Sequence, residues 1–509
     1  MPIIGNIIKG VIEARDYFVP ERNHIESQKE VLYQLLQTAK DTAFGNRYDF
    51  EGILSANNVQ SAFVQKVPSF DYHTMNDTWW FRLHKGEQDV SWPGNPDYFA
   101  LSSGTTGKTS KRIPVTNDMI DAIQKSGREQ IYALSNFELS PEFFEKDILM
   151  LGSTTDLTEN EGHLEGEISG ISAANIPSWF QGFYKPGAEI ASIDDWDERV
   201  LAIAKRAKDW DVGAISGIPS WIELMLKFVI EYHDAKSIHD IWPNFQVYTS
   251  GGVAFGPYKK SFDALTTKPI QVIDTYLASE GFLASQTRPE TSAMELNTAN
   301  GIYFEFVPFN PDYILEDGSL AQDVPSLTLE QVEKDQDYIL LISTVAGAWR
   351  YLIGDTIKFT DVEHAEIRIT GRTKFFLNTV GSQLSVNKLN SAVQNLEKKL
   401  GVEIPEYTIC AIDYDNEYYH HWYLGTPNPE KLSEEKAIQF LDEYLKEANK
   451  NYKVARSKAL KGVKADWVTI ETFHEWSAMN KKKGGQVKME KVMKPEKFKE
   501  WKAFSSQIN

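Results

Sequence analysis

The stretch DYFALSSGTTGKTSKRIP, residues 97–114, decides the fold expected for this chain. It contains the letters GKT, which end the GxxxxGK[ST] loop of P-loop nucleotide-binding proteins. The first glycine of such a loop would occupy position 102, but Ser102 stands there, and the glycine nearest to Gly107 is Gly104. The spacing therefore excludes a P-loop and leaves a different device for holding a phosphate.

The same stretch has the composition of an anion-binding loop. Glycines let the backbone turn tightly and aim N–H groups at an anion, hydroxyls add donors, and lysines with Arg112 add positive charge. The apolar residues before the loop predict a strand that leads into it. The residues predicted to bind phosphate are Ser102, Ser103, Gly104, Thr105, Thr106, Gly107 and Lys111. The alternative is an ordinary solvated loop rich in serine, threonine and glycine.

Composition limits the classes of function. The chain has 509 residues, 42% of them hydrophobic, which is enough for a large core in two or more structural units. Its net charge of -19 repels phosphate backbones, so no nucleic-acid partner is expected. The sequence has no signal-peptide pattern and no run of about 18 apolar residues, so no membrane association is expected. A single cysteine, Cys410, fits a reducing compartment, and we expect a cytoplasmic protein.

Short apolar runs alternate with helical patterns in the first 300 or so residues, which predicts an α/β core with much parallel sheet. The predicted strands are 147–154, 211–217, 245–252 and 270–276, and the predicted helices are 23–40 and 219–235. From about residue 300, β-branched and aromatic residues predict a β-rich subdomain. The expected architecture is a large N-terminal domain with mixed sheets, residues 1–380, followed by a small α+β domain, residues 381–509.

The pattern SSGTTGxxxKxIP resembles the phosphate loop of acyl-adenylate-forming enzymes. In the common acyl-CoA synthetase pattern the lysine follows the last glycine by three residues, behind a proline, whereas Lys111 follows Gly107 by four and precedes Pro114. This spacing, residues 23–50 and SGIPSW at 216–221 resemble the auxin-responsive-promoter family of acyl acid–amido synthetases, in a bacterial-type form. The resemblance covers nearly the whole chain and implies the acyl-adenylate-forming enzyme fold with a mobile C-terminal domain.

Two segments resemble the family's adenine and metal motif. FQVYTSGG ends in Gly251 and Gly252, where the lack of side chains lets backbone lie close to a flat purine. TYLASEG supplies Tyr276, Ser279 and Glu280. The resemblance implies that Tyr276 stacks on adenine, that Ser279 donates to the α-phosphate and that Glu280 binds Mg²⁺, which needs few protein carboxylates beside phosphate oxygens. The alternative for Glu280 is a solvated glutamate at a strand end.

WRYLIGD and ITGRTKFFLNTVG resemble the family's ribose-binding and hinge segments. The resemblance implies that Asp355 accepts hydrogen bonds from the ribose and that Arg372 contacts ribose or phosphate. Lys374 takes the hinge position, and Gly381 coincides with the predicted domain boundary. Leu352 departs from the pattern, because the family has an arginine there. A turn aspartate and a β-hairpin with a surface lysine are the alternatives.

The tail FHEWSAMNKKKGGQVKMEKVM resembles the family segment that supplies a catalytic lysine. Lys488 is the candidate, placed against the substrate carboxylate and the α-phosphate during adenylation, with Lys483 and Lys491 as rivals. Met489 and Glu490 replace the usual order of an apolar residue, proline and arginine. The alternative is a solvated, lysine-rich tail.

The resemblance implies an adenylate-forming ligase that uses ATP and Mg²⁺, with a small-molecule carboxylic acid and an amine or amino acid as partners. An acyl-CoA ligase and a catalytically silent binding protein with this fold stay open as alternatives, and a monomer or a simple homodimer is expected. The acid is expected to bind between residues 147–180 and 216–221. Trp179, Trp221 and His163 either line that pocket or pack in the core.

Overall fold

A computed structural model describes residues 9–10, 22–102, 111–252, 255–315, 318–373, 376–377, 384–414, 417–458, 460–479 and 489–508. The chain forms two compact units. The first comprises Met1–Phe309, Ser319–Ile353 and Ile357–Arg368, and the second comprises Asn310–Gly318, Gly354–Thr356 and Ile369–Asn509.

The described strands are β1 (Tyr98–Ser102), β2 (Lys111–Val115), β3 (Asp147–Leu151), β4 (Thr158–Asn160), β5 (His163–Gly166), β6 (Tyr184–Lys185), β7 (Val212–Gly217), β8 (Val247–Gly251), β9 (Gln271–Ala278), β10 (Gly281–Ser285), β11 (Met294–Leu296), β12 (Ile302–Pro308), β13 (Asp337–Thr344), β14 (Tyr351–Asp361), β15 (Glu366–Arg372), β16 (Phe376–Leu377), β17 (Leu384–Ser385), β18 (Glu406–Tyr414), β19 (Glu417–Thr426) and β20 (Leu460–Thr469).

The described α-helices are α1 (His24–Ala39), α2 (Ala43–Arg47), α3 (Phe50–Leu54), α4 (Val59–Lys66), α5 (Tyr72–Met75), α6 (Phe81–His84), α7 (Asn117–Ala133), α8 (Ile168–Ala174), α9 (Ala188–Ala191), α10 (Trp196–Arg206), α11 (Pro219–Tyr232), α12 (Lys259–Leu265), α13 (Val386–Leu400), α14 (Glu434–Ala448), α15 (Lys450–Lys458), α16 (Ile470–Met479) and α17 (Pro495–Ile508). The two helices predicted from the sequence are confirmed as α1 and α11. The Asn23 side chain caps α1 by accepting from the Glu26 N–H, and Pro219 opens α11, where its missing N–H costs nothing.

Eleven strands form one mixed sheet in the order β12-β13-β14-β15-β11-β10-β9-β8-β7-β3-β6. The strands from β9 to β6 in that order are parallel to one another, as the sequence pattern predicts. Leu151, Gly217, Ser250 and Asp274 lie in register across β3, β7, β8 and β9. The carboxyl ends of these strands therefore meet at one edge, called the carboxyl edge below, and such edges bind ligands in α/β proteins.

Helices α10 and α11 pack against the parallel strands through a fully buried apolar core. Ile203 of α10 and Ile222 and Leu226 of α11 belong to it, together with Ile215 of β7 and Tyr248 of β8. Burying each such side chain stabilises the fold by about 1.5–3 kcal/mol. This packing fixes the first turns of both helices beside the carboxyl edge.

A second sheet of the first unit has the order β2-β1-β5-β4. Strands β1 and β2 are antiparallel, and Ser102 pairs with Lys111 at the open end of their hairpin. The loop between them, residues 103–110, lies outside the described residues. The strand predicted to lead into the glycine-rich loop is therefore confirmed, and a second strand leads out of it.

The second unit contains the three-stranded sheet β18-β19-β20, which has helices on both faces. One core contains Trp422 together with residues of α13, α14 and α15. The other contains Tyr423 and the buried Cys410 with residues of α16 and α17. Burial raises the pKa of the Cys410 thiol to about 12, so the residue is a small buried hydrophobe rather than a nucleophile. Within the described ranges, no helix has the length and apolar character of a membrane span.

Candidate active site

The base of the glycine-rich loop is held by Tyr72 and by acidic partners of Arg112. The Lys111 Nζ lies 5.2 Å from the centroid of the Tyr72 ring, and the Arg112 N–H donates to the Tyr72 hydroxyl at 3.0 Å. The Arg112 guanidinium forms an ion pair with Glu165 at 2.5 Å, so its charge stabilises the hairpin. The sequence pattern places Lys111 and Arg112 in one cationic loop. In the structure they differ, because Arg112 forms an ion pair within the hairpin and Lys111 lies over the Tyr72 ring. Of the predicted phosphate-binding residues, only Ser102 and Lys111 are described; Ser103, Gly104, Thr105, Thr106 and Gly107 lie outside the described ranges.

Strand β8 ends at Gly251 and is followed by Gly252, so the backbone at this point of the carboxyl edge carries no side chains. Gly252 has a φ of +79°, a left-handed conformation that glycine adopts without strain. A Cβ added at Gly251 would lie 3.2 Å from the Thr275 Oγ1, closer than an ordinary contact. The Thr275 hydroxyl in turn donates to the Ser250 carbonyl at 2.9 Å. Both glycines therefore have local reasons to be glycine, and both leave the edge open for a flat ligand.

Ser279 and Glu280 form a two-residue turn between β9 and β10, because Ala278 pairs with Gly281. Gly281 has a φ of +145°, which only glycine adopts readily, so the turn depends on it. Tyr276 lies two residues before the end of β9, the strand that leads into this turn, and is buried in the core of the first unit. Its stacking on adenine stays a prediction. The turn brings the serine hydroxyl and the glutamate carboxylate to the end of β9.

Glu280 is 7% exposed and lies beside the hydroxyl of the fully buried Tyr351. Burial, and then the negative charge of Glu280, raise the pKa of the Tyr351 phenol well above its usual value, so the phenol is neutral at any physiological pH. No group of three or more potential metal ligands occurs among the described residues. A single buried carboxylate fits Mg²⁺ whose other ligands are phosphate oxygens and water.

Asp355 and Arg372, which the sequence treats as separate contacts, form an ion pair in the second unit. The Arg372 Nε donates to the Asp355 Oδ1 at 2.5 Å. Asp355 is 5% exposed, whereas the arginine side chain is half-exposed. A buried carboxylate oriented by a guanidinium is a strong acceptor for paired hydroxyl groups.

The other residues of the WRYLIGD motif hold the fold. The Arg350 Nε donates to both carboxylate oxygens of Glu305, at 3.0 and 3.1 Å, and its Nη1 donates to the carbonyls of Val64 and Val67. Leu352 is 5% exposed, so the position where the family has an arginine is part of the buried interior here.

The predicted catalytic Lys488 lies outside the described residues, as do Lys483, Lys374 and Gly381. The rival Lys491 is described, and its Nζ forms an ion pair with Glu406 at 2.7 Å. Glu490 is buried and forms an ion pair with Lys497 at 2.9 Å. The unusual glutamate thus has a structural partner, and Lys491 already has a carboxylate of its own.

The residues considered for the acid pocket divide into buried and exposed positions. Trp221 is buried against Trp196, with ring centroids 4.5 Å apart. His163 is buried, and its Nδ1 donates to the Pro96 carbonyl at 2.8 Å. Trp179 is 54% exposed. Trp221 and His163 therefore pack in the interior, and Trp179 alone presents an apolar surface.

Three sequence models of one family match the chain. The GH3 family N-terminal domain matches residues 20–204, the central domain matches residues 296–372, and the C-terminal domain matches residues 387–497. Together they cover more than half of the chain. The chain belongs to the GH3 family. The predicted membership of the auxin-responsive family of acyl acid amido synthetases is thereby confirmed.

A probable indole-3-acetic acid-amido synthetase GH3.9 of Oryza sativa subsp. japonica is 27% identical over 208 residues, which are 38% of this chain and 45% of that protein. The chain thus matches less than half the length of this curated relative.

The structure of GH3.15 acyl acid amido synthetase in complex with 2,4-DB superposes with a TM-score of 0.74 at 16% identity, covering 99% of this chain and 96% of that one. A 2-hydroxyisobutyryl-CoA ligase in complex with 2-HIB-AMP superposes with a TM-score of 0.58 at 12% identity, covering 95% and 92%. The predicted fold class is confirmed: a mixed α/β fold of the GH3 and adenylate-forming type, with a large N-terminal and a small C-terminal domain.

Proposed function

We propose that this GH3 protein is an ATP-dependent acyl acid–amido synthetase. It forms an acyl-adenylate from ATP and a small-molecule carboxylic acid and then transfers the acyl group to the amine of an amino acid. The observation that carries the proposal is the β1–β2 hairpin, which holds Ser102 opposite Lys111 at the base of a glycine-rich loop in a chain of this family. The names of the matched amido synthetases support the same reaction.

In the first step, an oxygen of the acid's carboxylate attacks the α-phosphorus of ATP. A new O–P bond forms, the bond to the β-phosphate breaks, and pyrophosphate leaves. The N–H groups and hydroxyls of residues 102–107, with Lys111, bind the β- and γ-phosphates, and Ser279 donates to the α-phosphate. Lys488 stabilises the negative charge that develops as pyrophosphate leaves.

Glu280 is the proposed Mg²⁺ ligand. Its position at a strand-end turn and its burial without a cluster of other acidic ligands fit a metal carried mainly by phosphate oxygens. Bound there, Mg²⁺ would neutralise part of the triphosphate's charge. Gly251 and Gly252 leave room for the adenine, on which Tyr276 stacks, and Asp355, oriented by Arg372, accepts from the ribose hydroxyls.

In the second step, the amine nitrogen attacks the acyl carbon, the C–O bond to AMP breaks, and the nitrogen loses a proton. We propose a domain boundary at 380/381 and a rotation of residues 381–509 about 374–381 between the two steps, so that one site serves both. A cytoplasmic location, a bacterial-type origin and a monomer or simple homodimer are part of the same proposal.

An acyl-CoA ligase is the second candidate, because a CoA ligase shares this fold. The silent binding protein is disfavoured, because Leu352 and Glu490 have structural roles that explain their departure from the family pattern. AMP release from ATP, measured with a panel of acids plus amino acids, plus CoA or with neither, separates the candidates. We expect release to depend on an amino acid. Release that depends on CoA would establish the ligase, and no release with any acid would contradict both enzymes.

A further inference from the structure

The charge of Arg199, on the first turn of α10, is buried without a carboxylate of the described residues in direct contact. The residue is 5% exposed. Its Nη1 donates only a long hydrogen bond to the Gly152 carbonyl, at 3.4 Å, and its Cζ lies 5.8 Å from the Trp196 ring centroid. Among the described residues, its Nε has no hydrogen-bond partner and no carboxylate forms an ion pair with it. The guanidinium is therefore buried in the interior and has only weak partners.

Such a charge is costly for the fold. Arginine does not escape the cost by losing its proton at physiological pH, even though burial lowers the pKa of this guanidinium. The negative charges of Asp194, Glu167 and Asp195 raise that pKa, but they act through space and not through direct contact. A buried cation of this kind is explained if a ligand supplies the missing anion.

Arg199 lies at the carboxyl edge of the parallel strands. Its partner Gly152 directly follows β3, and Trp196 packs against Trp221, which follows the end of β7. Glu280 follows the end of β9, three strands away from β3, and strands lie about 4.8 Å apart, so the two strands alone are separated by about 14 Å. An anion at Arg199 is therefore not the carboxylate that reacts with ATP.

We propose that Arg199 is a specificity residue that binds a second, non-reacting carboxylate of a substrate. This inference rests on the proposed function. The carboxylate belongs either to an acyl acid with two carboxyl groups or to the acceptor amino acid, whose α-carboxylate is not consumed. A guanidinium suits both, because its planar array of N–H donors matches a carboxylate.

The test compares the wild-type protein with Arg199→Met and Arg199→Lys in two assays. ATP–pyrophosphate exchange without acceptor is measured with benzoate and terephthalate, and amide formation is measured with alanine and alaninamide. In one of the two assays we expect Arg199→Met to raise the KM for the compound with the extra carboxylate, terephthalate or alanine, by about 10- to 100-fold. The kcat should change little, and so should the KM for benzoate or alaninamide. The assay that responds identifies the source of the carboxylate, and Arg199→Lys should retain part of the preference. Unchanged KM values in both assays would overturn the proposal.

Thermal unfolding provides a readout that does not need activity. Arg199→Met should melt no lower than wild type, because it removes an uncompensated buried charge. Terephthalate or alanine should raise the melting temperature of the wild type and not that of Arg199→Met. A variant that melts well below wild type would assign Arg199 to the fold and overturn the proposal. If the wild type proves inactive, the proposed function fails, while these ligand-induced shifts still decide whether Arg199 binds a carboxylate.

Discussion

Two buried arginines of the first unit differ in what the chain provides around them. Arg350 donates to both oxygens of Glu305 and to two backbone carbonyls, so its charge is fully compensated. Arg199 has one long hydrogen bond and lies over the ring of Trp196. A buried charge that is compensated in this way stabilises the fold, whereas a buried charge with only weak partners is the one that we propose binds a ligand.

Two buried glutamates of the first unit also differ in their surroundings. Glu305 accepts from Arg350 and from the Ser326 hydroxyl, at 2.7 Å from the latter. Glu280, at a strand-end turn, lies beside the neutral Tyr351 phenol. Four predictions test this division between residues of the fold and residues of the site.

Glu280→Gln should reduce activity most strongly, and the assay is ATP–pyrophosphate exchange. The neutral amide is a poor Mg²⁺ ligand, and losing several kcal/mol of charge stabilisation should slow exchange by about 10³-fold or more. Glu159→Gln, the same change at an exposed position of β4, is the matched control and should have no effect. Full exchange in Glu280→Gln would show that the metal is held elsewhere.

Arg350→Met should act differently, because it should lower the stability of the fold rather than slow the reaction directly. Removing one partner leaves Glu305 buried and uncompensated, so the free energy of unfolding should fall by about 3–5 kcal/mol. Urea denaturation measures the loss, and the double variant with Glu305→Leu should recover most of it. If Arg350→Met were as stable as the wild type, the partners of a buried charge would not distinguish residues of the fold from residues of the site.

Lys488 and Lys491 extend the comparison to the C-terminal tail. Lys488→Ala should slow adenylation by about 10²–10³-fold, as for the loss of one electrostatic stabiliser, while sparing conversion of a supplied acyl-adenylate. Lys491→Ala should leave adenylation nearly unchanged, because that lysine is held by Glu406. The reverse result would move the catalytic assignment to Lys491.

The smallest effect concerns Asp442, a compensated carboxylate of the second unit. Burial raises its pKa, but hydrogen bonds from Arg456, Lys446 and Tyr452 outweigh burial and bring the pKa down to about 2 from 3.8. A lowered pKa stabilises the fold above the unfolded value, and that contribution disappears as the pH falls from about 4 to about 2. The stability difference between wild type and Asp442→Asn should therefore shrink over this range in chemical denaturation. A difference independent of pH would mean that ionisation of Asp442 does not stabilise the unit.

Local spacing was enough to predict the strand before the glycine-rich loop, the parallel strands and the segments that bring Gly251 and Glu280 to one edge. Contacts between distant residues were not predictable in this way. Arg350 finds Glu305 across 45 residues, and Asp355 finds Arg372 across 17. Arg199 stands in an ordinary amphipathic helix, DWDERVLAIAKR, and nothing in that pattern shows that its charge is buried. Only the packing of α10 beside Gly152 reveals it.

Isotope labelling tests the proposed adenylation directly, because it follows oxygen from the acid into the products. An acid labelled with ¹⁸O in both carboxylate oxygens is incubated with ATP, Mg²⁺ and an amino acid, and the products are analysed by mass spectrometry. Attack on the α-phosphorus predicts one labelled oxygen in AMP for each amide formed, with the other retained in the amide. Label in inorganic phosphate, together with ADP, would show attack on the γ-phosphate and contradict the adenylation mechanism.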